Sequence, residues 1–219
     1  MEFTECFPVW DKLAPEHQQE ILRNVSTREF KKGTVIYDGT TGCTGFIVVE
    51  SGQLRGYIVS EEGREVSIYR LFERDICLLS ASCILNSIQF DISIETERDS
   101  RVWIIPPELF QRIMKESAPL ANYVNEIMQQ RLSDVMWLIE QILWKRRDKR
   151  IAAFLIEEST LEESLKLTTT HEQIARHLGT AREVVTRMLR SFQSEGMVKI
   201  SRGSIEITDE KRLAALAED

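Results

Sequence analysis

The sequence predicts an α+β protein that consists of an N-terminal antiparallel β-roll, one long helix and a C-terminal winged helix-turn-helix. Three observations lead to this prediction. Residues 30–105 are short β-rich runs separated by turns that contain glycine. After Pro119 a helical pattern continues without glycine or proline as far as Leu178. Residues 170–207 then combine two short amphipathic helices with a hairpin. We therefore expect three parts, residues 1–117, 118–146 and 147–219.

The composition agrees with a two-domain protein that is not embedded in a membrane. The chain has 219 residues, of which 42% are hydrophobic and 29% charged, enough for two cores. Its longest apolar run, residues 151–156, is far shorter than the ~20 residues of a membrane helix, and its acidic start lacks a secretory signal. The four cysteines are too unevenly spaced for a disulfide scaffold. We therefore expect a cytoplasmic protein with reduced thiols and no membrane partner.

The net charge of −7 is unevenly distributed along the chain. Residues 145–219 contain 14 basic and 13 acidic residues, whereas residues 1–144 contain 14 basic and 22 acidic residues. Residues 171–203 contain six basic residues and three acidic ones. A locally basic surface permits an acidic protein to bind DNA, because phosphates respond mainly to nearby charge. The C-terminal part is therefore compatible with DNA binding.

Six short runs of β-branched and aromatic residues predict the strands of the roll. The segment Glu61-Glu62-Gly63 between two of them indicates the charged tip of a hairpin. The serine-rich segment Ile76–Ile88 interrupts the pattern, and we expect a short helix and a loop there. The predicted strands are Thr34–Tyr37, Phe46–Val49, Leu54–Val59, Val66–Leu71, Ile92–Thr96 and Val102–Ile105.

The long helix is expected to mediate dimerisation. Its apolar residues form two parallel stripes, one of which can pack on the helix's own domain while the other meets a partner. We assign the partner to the heptad ladder Ala121, Val124, Met128, Val135, Leu138 and Ile142. The second stripe is Leu120, Ile127, Leu132, Met136, Ile139 and Leu143.

A fully buried core helix is the alternative interpretation of this segment. Charged residues at Glu126, Asp134 and Glu140 argue against it, because they require a solvated side. The polar cluster Trp144–Asp148 then indicates a hinge, followed by a second helix over Lys149–Glu157.

Residues 170–207 predict the winged helix-turn-helix. Thr170 with Gln173, and Thr180 with Glu183, have the spacing of capping boxes at the starts of two helices. Gly179 supplies the turn between these helices. Residues 197–207 then form a hairpin with Arg202 near its tip, which predicts the wing.

The helix that begins near Ala181 is expected to enter the major groove of DNA. Arg182 and Arg187 can each donate two hydrogen bonds to guanine, and Glu183 can accept one from cytosine. The spacing of Glu183 and Arg187 also lets them brace each other as an ion pair. Each of these residues has a purely structural alternative, capping for Glu183 and surface pairing for Arg187. The residues expected to contact the DNA backbone are Thr170, His171, Thr180 and Arg202.

The chain resembles the CRP/FNR family of transcription factors over nearly its whole length. The segments that carry the resemblance in the roll are Lys32–Tyr37, Phe46–Leu54 and Glu61–Glu65. Leu120–Lys145 resembles the family's dimer helix, and Gly179–Arg187 its recognition helix. The resemblance implies a jelly roll like that of cyclic-nucleotide-binding domains, and a homodimer on double-stranded DNA. It further implies that Arg182, Glu183 and Arg187 read TGTGA-like half-sites, and that an activator would contact RNA polymerase.

The effector of the resembled cyclic-AMP receptors does not carry over to this chain. Their Gly-Glu-Leu cassette is replaced here by residues 75–82, and their Arg-Ser pair by Phe90-Asp91, which would place a carboxylate against a phosphate. Val135 and Met136 stand where those receptors place Thr-Ser on the dimer helix, and they cannot bond a purine. We therefore do not expect cyclic AMP as the effector. A four-cysteine iron–sulfur cluster is not expected either, since Cys6 is the only cysteine near the N-terminus.

Cys77 and Cys83 lie in the segment that holds the effector in the resembled family. With Val135 and Met136 they form our candidate effector pocket. Haem bound through a thiolate, a redox-active thiol pair and an apolar ligand all remain open, as does a simple packing role.

The sequence thus predicts an effector-gated homodimer that binds an inverted repeat and regulates transcription. The alternative is a ligand-binding module that controls a protein partner without specific DNA binding. An enzyme is not expected, because the chain has no nucleophile-base pair, HExxH motif or phosphate loop. The sequence does not distinguish an activator from a repressor.

Overall fold

The computed structural model describes residues 2–38, 44–78, 92–144 and 147–218. The chain divides into two compact units, which are described separately below. The first comprises Met1–Val59 and Ile68–Val135, and the second comprises Ser60–Ser67 and Met136–Asp219. The division falls inside the long helix, whereas the sequence placed its boundaries at residues 117 and 146. No helix in the described ranges is long and apolar enough to cross a membrane.

The first unit contains the predicted roll, except for residues 60–67. Its two four-stranded sheets have the strand orders β1-β8-β3-β6 and β2-β7-β4-β5. The strands are β1 (Ser26–Phe30), β2 (Val35–Tyr37), β3 (Phe46–Ser51), β4 (Leu54–Val59), β5 (Glu65–Leu71), β6 (Ile76–Cys77), β7 (Ser93–Thr96) and β8 (Ser100–Ile105). The helices are α1 (Phe3–Cys6), α2 (Pro15–Asn24), α3 (Pro107–Glu116) and the first part of α4 (Ala118–Trp144), with a 3₁₀ turn at Trp10–Lys12.

Strand β3 contributes side chains to two separate hydrophobic clusters of the unit. Successive side chains of a strand point to opposite faces, so alternate residues of β3 enter different clusters. Phe46 and Val48 pack with the helices, where Phe46 stacks on Phe110 with ring centroids 3.8 Å apart. Ile47 and Val49 pack in the interior of the roll. This explains why β3 is a continuous apolar run rather than an alternating one.

Two strands of the roll were not predicted. Strand β1 has mostly polar residues and lies at a sheet edge, where neither face is fully buried and no apolar alternation results. Strand β6 has only two residues. The helix and loop predicted over Ile76–Ile88 lie largely outside the described residues, as does Cys83.

Helix α4 does not separate its two apolar stripes as predicted, since residues of both stripes, Val124 and Leu120, lie in the core of the first unit. Val124, placed at the dimer seam by the sequence, is 5% exposed and lies in the core of the first unit, with Met128 packed against it. Arg131, on the same stripe, stacks over the ring of Tyr69 at 4.6 Å. The prediction that Val124 and Met128 meet a partner is therefore wrong, because periodicity alone does not show which stripe faces the roll. The exposed large apolar residues of α4 are Leu132, Met136, Trp137, Ile139 and Ile142.

The second unit packs four helices and a small sheet around one apolar cluster. Its sheet has the order β10-β11-β9, and its core includes Leu155, Ile174, Val185, Leu189 and Leu213. The elements are α5 (Arg147–Leu161), β9 (Lys166–Leu167), α6 (His171–Leu178), α7 (Arg182–Ser194), β10 (Val198–Ser201), β11 (Ser204–Ile207) and α8 (Glu210–Glu218). The observed architecture confirms the predicted fold class of roll, long helix and winged helix-turn-helix.

Candidate nucleic-acid interface

The first helix of the motif, α6, begins with the predicted capping box. The Thr170 hydroxyl accepts a hydrogen bond from the Gln173 amide N at 3.2 Å, and Gln173 Oε1 accepts one from the Thr170 amide N at 2.8 Å. Two of the amides that a helix start leaves unpaired are thereby satisfied. The capping box fixes the position of His171, the first residue of α6.

The turn between α6 and α7 depends on Gly179. Its φ of 62° lies in the left-handed region, and its amide N–H bonds to the Ala175 carbonyl. The Arg150 guanidinium on α5 donates to the Leu178 carbonyl at 2.7 Å and so satisfies a second acceptor at this helix end. Burial, followed by the charge of Arg147, lowers the pKa of Arg150. The end of α6 is thus tied to its own core.

The second helix, α7, does not begin as predicted. Its N-cap is Ala181, with no hydrogen bond from a capping side chain, and the helix starts at Arg182. The predicted capping box of Thr180 and Glu183 is therefore wrong, because Thr180 lies one residue before the cap. The Thr180 amide instead donates to the Ala175 carbonyl at 3.0 Å and extends the turn. Glu183 has no capping role that would explain its presence.

The outer face of α7 gathers the predicted base-reading residues. Val185, Leu189 and Phe192 bury the inner face of the helix. Arg182, Glu183 and Arg187 are all exposed, and they line one shallow surface together with Thr186 and Arg190. Sequence reasoning missed Thr186 and Arg190, although their spacing of four and three residues from Arg182 and Arg187 places them on the same helical face.

The predicted ion pair between Glu183 and Arg187 is not formed. In the described part of the chain neither side chain has an ionic partner, so the acceptor of Glu183 and the donors of Arg187 both face outward. Their spacing permits a pair, but an exposed pair of this kind is worth only a few tenths of a kcal/mol and does not fix the side chains. Both groups are available to a ligand.

The wing and α6 form the two sides of an open cleft with a volume of about 460 Å³. Thr170, His171 and Arg182 line this cleft on the helical side. Thr169 and Glu172 also contribute, and the wing supplies the rest of the lining: Ile200, Ser201, Gly203, Ser204 and Ile205. The predicted backbone contacts Thr180 and Arg202 are not part of the lining, although Arg202 is exposed at the wing tip beside Gly203, whose φ is 76°.

A hydrogen bond joins the two helices of the motif. His171 Nδ1 lies 2.9 Å from Thr186 Oγ1, and that hydroxyl donates to the Arg182 carbonyl at 2.9 Å. Burial lowers the pKa of His171, and the positive charges of Arg182 and Arg190 lower it further. His171 is therefore neutral at pH 7 and lies in a positively charged environment.

Arg176, which the sequence counted in the basic region, is paired within the second unit. Its guanidinium makes a bidentate contact with the Glu65 carboxylate, with distances of 2.8 and 3.0 Å. On the same helix, His177 Nδ1 lies 2.6 Å from Ser67 Oγ. These contacts join residues more than 100 positions apart, which no sequence pattern reveals. The positive charge offered to a ligand therefore comes from α7 rather than from Arg176.

The candidate effector residues have unlike environments. Cys77 is 1% exposed in the interior of the roll, and its Sγ lies 3.8 Å from the Tyr69 hydroxyl. Burial, followed by the proximity of Cys77, raises the pKa of Tyr69 well above its ordinary value. Val135 is half-buried, whereas Met136 is 57% exposed. The described residues contain no cluster of histidine, cysteine and carboxylate side chains that could hold a metal ion.

Comparisons with known proteins agree with this architecture. Residues 27–117 match the family model of the cyclic nucleotide-binding domain, and residues 149–216 match that of the Crp-like helix-turn-helix domain. The Fumarate and nitrate reduction regulatory protein of Salmonella typhimurium is 25% identical over 211 residues, which cover 92% of this chain and 83% of that protein. The Transcriptional activator protein anr of Pseudomonas aeruginosa is 23% identical over 197 residues, covering 87% and 80%.

A solved structure gives stronger evidence of relationship. A protein from Eubacterium rectale, assigned to the CRP/FNR family of transcriptional regulators, is 57% identical to this chain. The two superpose with a TM-score of 0.96, over 98% of this chain and 100% of the other. The chain therefore belongs to the CRP/FNR family of DNA-binding transcriptional regulators.

Proposed function

We propose that this regulator acts as a homodimer on an inverted repeat of TGTGA-like half-sites, under the control of an effector. The observation that carries the proposal is the exposed face of α7, where Arg182, Glu183 and Arg187 are directed outward. A module that contacts only protein partners would not need this set. The alternative function, regulation of a protein without specific DNA binding, leaves all three residues unexplained.

Base reading follows from the chemistry of these three side chains. Each arginine can donate two hydrogen bonds to the O6 and N7 atoms of guanine, and Glu183 can accept one from cytosine N4. In recognition helices the N-terminal residues reach the base edges, and Arg182 and Glu183 are the first two residues of α7. Each good bidentate contact discriminates against the wrong base by about 1 to 3 kcal/mol.

Contacts to the DNA backbone are assigned to the two sides of the cleft. Thr170 and His171 stand at the start of α6, where free amides and the helix dipole favour phosphate. Thr180 flanks α7 on the turn, and Arg202 extends from the wing tip. These contacts would fix the orientation of the protein on DNA without reading its sequence.

We assign the dimer seam to the exposed stripe of α4. Leu132, Met136 and Ile139 follow the spacing of one helical face and are 64%, 57% and 42% exposed. Of the residues predicted first, Ile142 is also exposed, whereas Ala121, Val135 and Leu138 are half-buried. A two-fold dimer that binds an inverted repeat is expected to contact half-sites about 34 Å apart, one turn of DNA.

The effector is assigned to the roll, and Cys77, Cys83, Val135 and Met136 are kept as the candidate effector residues. Support comes from a chain of contacts in the first unit: Cys77 lies against Tyr69, and Tyr69 lies under Arg131 of α4. Chemistry at Cys77 could therefore alter the packing of α4. Haem and thiol oxidation are the effectors to test, and cyclic AMP is not expected. A protein that activates transcription would also contact RNA polymerase.

Fluorescence anisotropy with labelled duplexes tests DNA recognition. We expect Arg187→Ala to weaken binding to a TGTGA inverted repeat by about 1 to 3 kcal/mol and to lower discrimination against a duplex changed at one guanine. Arg202→Ala should weaken binding to both duplexes equally, because phosphate contacts carry no sequence information. Arg112→Ala, in an exposed ion pair of the first unit, is the control and should leave both affinities unchanged. Equal affinity of the wild type for both duplexes would contradict specific recognition.

A further inference from the structure

The tautomer of His171 follows from its hydrogen-bonded neighbours. The Thr186 hydroxyl donates its single proton to the Arg182 carbonyl at 2.9 Å. The same oxygen lies 2.9 Å from His171 Nδ1, so it must accept a proton there, and Nδ1 is the donor. A neutral imidazole holds only one N–H, and that N–H is therefore on Nδ1. The other ring nitrogen, Nε2, then carries a lone pair.

The position of His171 makes this lone pair important. His171 lines the cleft between α6 and the wing, and Nε2 has no partner among the residues that the structure describes. The charged side chains of the cleft are Arg182 on α7 and Glu172 on α6, with Arg190 nearby on α7. The wing contributes to the lining only Ile200, Ser201, Gly203, Ser204 and Ile205, none of which titrates. A phosphate in this cleft would face a nitrogen that cannot donate a hydrogen bond.

We propose that His171 takes up a proton when the operator binds, so that its imidazolium bridges Thr186 and a DNA phosphate and operator affinity increases as the pH falls. The proton comes from solvent, one for each protomer. The inference rests on the proposed DNA-binding function of this face. The alternative is a tautomer with its proton on Nε2, but Thr186 would then have to donate to Nδ1 and release the Arg182 carbonyl.

The sign of the pH effect follows from the charges around His171. In the free protein, burial and the charges of Arg182 and Arg190 lower the pKa of His171 below its ordinary value of 6.5. A bound phosphate favours the imidazolium and raises the pKa of the complex. Between these two pKa values, operator affinity increases as the pH falls, by up to about tenfold per pH unit for each protomer. Above the higher pKa and below the lower one, the affinity does not change with pH.

Operator affinity of the full-length protein, measured by anisotropy between about pH 5.5 and 8.5 at constant ionic strength, tests the proposal. We expect wild-type affinity to rise as the pH is lowered, and His171→Gln to lose this rise. His177→Gln is the matched control: it removes a histidine from the same helix, one that contacts Ser67 instead of the cleft, and should retain the wild-type pH dependence. Calorimetry in buffers of different ionisation enthalpy should detect proton uptake on binding in the wild type and in His177→Gln, but not in His171→Gln.

Thr186→Val separates proton uptake from a merely structural role. Without the Thr186 oxygen the imidazole can place its proton on Nε2, so phosphate binding no longer requires a second proton. We expect a shallower pH dependence in this variant. Wild-type binding with the same pH dependence as His171→Gln, or without proton uptake, would overturn the inference and leave DNA recognition intact. Failure of the wild type to bind the inverted repeat at any pH would instead overturn the proposed function, and the inference with it.

Discussion

Gly179→Ala tests the tight turn that sets α6 against α7. The φ of Gly179 is +62°, where an L side chain is strained, and a Cβ at this position would lie 2.4 Å from Val66 Cγ2. Gly196, which follows α7, provides a matched control within the same unit. Its φ is +75°, but a Cβ there would meet nothing within 4 Å. The pair therefore separates the cost of the backbone conformation from the cost of the overlap.

The two costs can be estimated separately. An alanine in the left-handed region costs about 1 to 2 kcal/mol, less about 0.4 to 1 kcal/mol gained because the unfolded chain becomes less flexible. Overlap in a packed site adds about 1 to 3 kcal/mol. We therefore expect Gly196→Ala to cost about 1 kcal/mol and Gly179→Ala about 2 to 4 kcal/mol. Truncation of Val66 to alanine should recover much of the difference in the double variant, because it removes the overlapping methyl group.

Amide hydrogen exchange of α6 and α7 in the full-length protein is the appropriate assay. Two units need not unfold together, so a single global transition would not report on the turn. Exchange gives the local free energy of opening for the helices concerned. Equal losses of protection in Gly179→Ala and Gly196→Ala would refute the steric argument, as would a Val66→Ala background that leaves the difference unchanged.

Two further predictions concern the dimer and the effector. Leu132→Asp with Ile139→Asp should convert the dimer to a monomer in analytical ultracentrifugation, because unpaired charges in the seam cost several kcal/mol; Gln130→Asp, exposed but off the stripe, should remain dimeric. A double variant that still dimerises would exclude this seam. Oxidation should change operator affinity in the wild type but not in the double variant Cys77→Ser, Cys83→Ser. If both proteins have identical affinities in reducing, oxidising and haem-loaded conditions, the cysteines are packing residues.

Features defined by short-range patterns were predictable from the sequence. The capping box at Thr170, the turn at Gly179 and the hairpin of the wing each depend on residues a few positions apart, and the structure confirms all three. The wrong prediction at the start of α7 also rested on a short-range pattern. Thr180 and Glu183 have capping-box spacing, but the N-cap is one residue later, at Ala181. A spacing rule does not contain the backbone angles that select the cap.

The sequence by itself determined the roll, the long helix and the helix-turn-helix, because these follow from periodicity, and it predicted Arg182, Glu183 and Arg187 as base-reading residues from local chemistry. Only the tertiary structure decided which apolar residues of α4 are exposed, since both stripes are apolar and burial of Val124 depends on the roll beside it. It alone paired Arg176 with Glu65 and set His171 against Thr186. Such contacts join separate elements, and the energy that selects them comes from packing between those elements rather than from the order of neighbouring residues.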